Sequence, residues 1–123
     1  MLIVMTKPFA RWARHEAISG QLLVKAIREI EAGFVDAHLG SGLIKKRVAR
    51  PGGGKRGGYR TIIAFRHAEV AIFLFGFAKN EQATLDPAEL AYFRELASVL
   101  LSKPLDEVRE MIADDRLYEV RLK

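Results

Sequence analysis

Between residues 45 and 66 the sequence gathers eight cations and no acid: Lys45, Lys46, Arg47, Arg50, Lys55, Arg56, Arg60 and Arg66. Tyr59 and Phe65 are interleaved with them. Basic side chains collected on one surface attract polyanions, and beside a phosphodiester they stabilise charge that develops in a transition state. Aromatic rings among them offer stacking platforms for unpaired bases. The chemistry this stretch suits best is therefore recognition of a nucleic-acid backbone, with Lys79 as a further candidate. Each residue also has a plainer use: Tyr59 as core, Arg60 in an ion pair with Glu81, and Gly57-Gly58 as turn chemistry.

Other chemistries find little support. The sequence has no cysteine, which excludes disulfides, thiolate metal sites and a cysteine nucleophile. His15, His38 and His67 stand too far apart for a metal-ligand spacing, so no metal and no cofactor is expected. The run Pro51-Gly52-Gly53-Gly54-Lys55-Arg56-Gly57-Gly58 invites comparison with phosphate-binding loops. Arg56 follows Lys55 where a Walker loop needs Ser or Thr, and the run leads into a strand rather than a helix. No serine has the context of a nucleophile elbow.

The elements that must position these cations are legible in the hydrophobic pattern. Residues 2–6 read as a strand. From Pro8, the spacing of Phe9, Trp12, Ala13 and Ala17 reads as one buried helix face. Ser19 is placed to cap a second helix whose stripe is Leu22, Leu23, Ala26, Ile27 and Ile30, with Gly33 ending it. Leu43, Ile44 and Val48 alternate with Lys45, Lys46 and Arg47, as in a strand with one exposed basic face. Two strands follow the glycine run, Tyr59 to Phe65 and Val70 to Phe77, joined by a hairpin at His67-Ala68-Glu69. The second is almost wholly apolar and should be central. Arg60 begins one of these strands and Lys79 lies just past the other, so the hairpin brings them near one another. Asp86-Pro87-Ala88-Glu89 is a helix start, with Leu90, Phe93, Ala97, Leu100 and Leu101 as its core face. Pro104 opens another helix with Leu105, Val108 and Ile112 inward, and residues 117–122 alternate as a last edge strand. The expected fold is α+β, a small antiparallel sheet with N-terminal and C-terminal helices packed on it.

At 123 residues the chain fits one domain, residues 1–123, with 50% hydrophobic and 28% charged residues as in ordinary globular proteins. The net charge of +5 is unevenly spread: residues 1–66 carry 13 Lys and Arg against 4 acids, and residues 67–123 carry 7 against 11. That asymmetry suits one surface built to meet a polyanion. No apolar run is long enough to span a membrane, and residues 2–5 are too few for a signal peptide. The expected location is cytoplasmic.

Three strings carry a family resemblance: Leu43-Ile44-Lys45-Lys46-Arg47-Val48, Gly57-Gly58-Tyr59-Arg60-Thr61-Ile62-Ile63, and Phe73-Leu74-Phe75-Gly76-Phe77-Ala78-Lys79-Asn80-Glu81. In order and separation they resemble the HigB-like branch of the RelE toxins of type II toxin–antitoxin systems. The resemblance implies a metal-independent endoribonuclease that cuts mRNA on the ribosome, and a helix-turn-helix antitoxin as partner. It implies Arg60, Lys79, Lys45 and Lys46 as catalytic residues. Arg47, Arg50, Lys55, Arg56, Tyr59, Arg66 and Asn80 then serve as RNA contacts. Tyr118 matches the C-terminal tyrosine of some relatives only in residue type. Two rival functions stay open: a noncatalytic toxin that binds a protein target such as gyrase, as ParE relatives do, and a general RNA-binding module.

Overall fold

The computed structural model describes residues 1–50, 58–80, 82 and 84–122. Among the described residues six strands and four helices follow one another as β1 (Leu2–Thr6), α1 (Lys7–His15), α2 (Gly20–Glu31), β2 (Ala37–Gly40), β3 (Leu43–Val48), β4 (Tyr59–Arg66), β5 (Val70–Ala78), α3 (Pro87–Leu101), α4 (Leu105–Ala113) and β6 (Leu117–Glu119). The strands form one sheet in the order β2-β3-β4-β5-β1-β6. All neighbours are antiparallel except β1 and β5, which run parallel, so the sheet is mixed rather than purely antiparallel. Parallel neighbours need a long crossover, and here everything from α1 to β4 lies between them.

Local chemistry sets the helix ends. Thr6 and Ser19 accept hydrogen bonds from the Phe9 and Leu22 amides at the starts of α1 and α2. Gly33, at φ 98°, ends α2, with its amide on the Ile30 carbonyl and that of Phe34 on Glu29. Asp86 and Glu89 form a reciprocal capping box at α3, with N–O distances of 2.8 and 3.0 Å.

Both faces of the sheet are covered. Phe9 and Ala13 of α1, with Leu23, Ala26, Ile27 and Ile30 of α2, pack on Ile44, Val48, Ile63 and Phe73. Phe93, Ala97 and Leu100 of α3, with Val108 of α4, pack on Leu43, Ile62, Ala64 and Ile72. The near-continuous apolar run of β5 is explained by this sandwiching, and β5 is central as its sequence requires.

Three sequence expectations change. The helix over Phe9 and Trp12 stops at His15; Ala17 is exposed with φ 58°, and Ile18 takes the buried place instead. The edge strand β2 has no counterpart in the sequence reading. The supposed exposed basic face of β3 is split, because Lys46 is buried, only 4% exposed. Among the described residues no helix is long and apolar enough to cross a membrane.

Candidate nucleic-acid interface

The register of the three middle strands decides which cations meet. In β4, Ile62 and Ala64 belong to the core beneath α3, so Arg60, in phase with them, emerges on that same face. Its cross-strand partners are Arg47 on β3 and Phe77 on β5. Lys45 pairs with Ile62, one diagonal step from Arg60. On the other side, the Lys79 amide donates to the Gly58 carbonyl at 3.2 Å, extending the ladder past Ala78. Lys79 thereby follows Phe77 on the face of Arg60. Lys45, Arg60 and Lys79 form a diagonal line across three strands, each step roughly 7–8 Å.

Arg60 and Lys45 are half-buried, and Lys79 is exposed. Its Nη1 donates to the Tyr59 carbonyl at 3.4 Å, which leaves most of its donors uncommitted. Among the described residues no carboxylate pairs with it. Its competing partner Glu81 lies outside the described residues, as do Lys55 and Arg56 of the glycine run. Asn80 is exposed beside Lys79.

The remaining cations are taken up by other partners. Lys46 points to the opposite face, where its Nζ meets Glu29 Oε1 of α2 at 2.9 Å and donates to the Phe34 carbonyl at 3.0 Å. Lys46 ties α2 to β3 and stands apart from Arg60. Arg47 is held at the open edge of β3: its Nε and its backbone amide donate to the two Asp36 oxygens, both at 2.7 Å. Burial works to raise the Asp36 carboxyl, but the Arg47 amide and guanidinium outweigh it and hold it below its usual value. Arg66 occupies the other end of β4, where it donates to the Leu101 carbonyl and meets Glu69 at 3.2 Å. Six residues of strand put it about 20 Å from Arg60.

Tyr59 and Phe65 belong to the side of the sheet away from Arg60. Tyr59 is 3% exposed, edge-on to Trp12 with centroids 5.2 Å apart, and its hydroxyl donates to Glu16 Oε1 at 2.8 Å. The Tyr59 and His15 hydrogen bonds hold the Glu16 carboxyl below its ordinary value, while burial and then Glu16 push the Tyr59 phenol up. The Arg50 guanidinium lies 5.3 Å over the Tyr59 ring, on this same side of the sheet. Phe65 is half-buried against the α1–α2 core.

The pairings of Glu16 with Tyr59, Glu29 with Lys46 and Asp36 with Arg47 are absent from the sequence reading. These carboxylates are three of the four acids in residues 1–66, and their scarcity was the signal available. Among the described residues no cluster of three His, Asp or Glu is placed to hold a metal ion. What this face offers is a row of cations without a paired acid among the described residues, suited to a phosphodiester and to the excess charge of a pentacoordinate phosphorane.

A search of curated proteins returns no match. Residues 1–120 match the family described as the RelE toxin of the RelE / RelB toxin–antitoxin system.

Proposed function

Because the chain belongs to the RelE toxin family, and so is a toxin whose natural partner is an antitoxin, we propose that it is a cytoplasmic endoribonuclease of the HigB-like branch that cuts mRNA on the ribosome. The observation that carries this reading is the Lys45–Arg60–Lys79 diagonal, with a half-buried arginine that no carboxylate pairs among the described residues. The ribose 2′-OH attacks the adjacent phosphorus as its proton is removed. The P–O2′ bond forms, the P–O5′ bond breaks, and the 5′ oxygen leaves as a hydroxyl after gaining a proton. Arg60 donates to the non-bridging oxygens, where a planar fork matches two acceptors. Lys45 and Lys79 hold the strand on either side and add positive potential. Lys46 has no part in this chemistry, since Glu29 and the Phe34 carbonyl occupy it on the far face. The proposed antitoxin is a helix-turn-helix protein.

The test is cleavage of a short mRNA, free and bound to a programmed ribosome, with the ends of the products identified. The expected result is ribosome-dependent cutting that leaves a 2′,3′-cyclic phosphate and a 5′-hydroxyl. Binding without cutting contradicts the reading.

A further inference from the structure

On the far face of the sheet from Arg60, two contiguous hollows run along α1. One, of about 280 Å³, is walled by Lys7, Arg11, Arg14 and Tyr118. The other, of about 370 Å³, shares Ala10, Arg14 and Tyr118 with it and continues toward β6 and the start of α2. Its floor is apolar, with Met5, Ala13, Leu23 and Val120, and Arg121 stands at its side.

Lys7, Arg11 and Arg14 follow one another at i, i+4 and i+7 along a single exposed stripe of α1. None of the three is ion-paired among the described residues. Like charges so spaced repel one another, and Lys7 stands in the first turn, where the helix dipole disfavours a cation. No acid in that turn relieves it. Among the described residues the one acid lining the groove, Glu119, forms no ion pair with them. An anionic occupant relieves all of this. The apolar floor selects between anions: a phosphodiester backbone gains nothing from the half-buried Met5 and Val120, whereas a polypeptide carrying both carboxylates and aliphatic side chains gains from floor and rim together.

We infer that the groove between α1 and β6 is a docking site for an acidic, aliphatic-bearing polypeptide segment, contributed by the antitoxin. That the segment belongs to the antitoxin rests on the toxin reading; the chemistry of the groove does not.

The probe is a fluorescein-labelled peptide of about a dozen alternating Glu and Leu residues, followed by anisotropy at physiological salt. A Lys/Leu counterpart and a single-stranded RNA of similar length run beside it. Wild-type protein is compared with Arg11→Glu/Arg14→Glu and with Lys45→Glu/Lys79→Glu. The acidic peptide is expected to bind wild type and to weaken at least about tenfold in the α1 variant, with little change in the sheet variant. RNA affinity should show the reverse, and the α1 variant should cut mRNA at the wild-type rate. An acidic peptide that fails to bind, or that binds both variants alike, overturns the inference. So does an α1 variant that loses RNA binding or cleavage, which assigns the groove to RNA. Wild type that binds the peptide but cuts no mRNA leaves the groove standing and removes the nuclease reading instead.

Discussion

Lys46 and Arg60 come from the same cationic stretch, yet the sheet turns them to opposite uses. Lys46 is closed in by Glu29 and the Phe34 carbonyl, while most donors of Arg60 meet no partner among the described residues. Removing a buried cation strands the groups it satisfied. Lys46→Met, which keeps the length of the side chain, is therefore expected to lower stability by about 1–3 kcal/mol, measured by urea unfolding. Cleavage per folded molecule should stay near wild type. A variant of wild-type stability that no longer cuts would return Lys46 to the site. The sequence shows why this residue misleads: in Lys45-Lys46-Arg47, adjacent strand positions point to opposite faces, so one cationic run serves two surfaces. Which face is exposed depends on Glu29, one helix earlier, and no local pattern reports that pairing. Tyr59 misleads in the same way, because its partners Trp12 and Glu16 come from α1.

At the level of elements, helix α1 and β5 meet closely where Trp12 lies over Gly76. A Cβ at Gly76 would collide with the indole of Trp12, so the glycine lets α1 lie close against the sheet. Gly76→Ala is expected to destabilise the fold by about 1–3 kcal/mol, and Trp12→Leu in the same chain should return part of that loss. Thermal unfolding of the two single variants and the double variant checks this, and strictly additive losses would refute the contact. Elements with complete local signals were legible: the Ser19 cap, the Asp86–Glu89 box and the unbroken apolar run of β5 all stand where their sequences put them. Those fixed by partners elsewhere were not. Ala37–Gly40 is short, ends in glycine and becomes a strand only by pairing with β3. The parallel alignment of β1 with β5 likewise depends on a contact between distant parts of the chain.

The whole molecule is held partly by carboxylates kept ionised. Asp36 and Glu16 are both lowered, from ordinary values of 3.8 and 4.5. A lowered folded value means the folded state binds protons less readily than the unfolded chain. Their contribution is full above those ordinary values and is lost as pH falls through the lower folded ones. Tm should therefore be insensitive to these groups from pH 6 to 8 and fall below about pH 4.5. Asp36→Asn/Glu16→Gln should flatten that acid limb; an unchanged limb would show that other groups set it. The same sorting of charge leaves Lys45, Arg60 and Lys79 together on the other face, and the central claim is that Arg60 stabilises the phosphorane there. The most direct measurement is single-turnover cleavage by Arg60→Ala and Arg60→Lys on ribosomes programmed with a short mRNA, with circular dichroism verifying the fold. The expected result is a loss of at least about 10²–10³ in rate for Arg60→Ala with ribosome binding only modestly weakened, and little recovery in Arg60→Lys. A folded Arg60→Ala protein that cuts at the wild-type rate would contradict the claim.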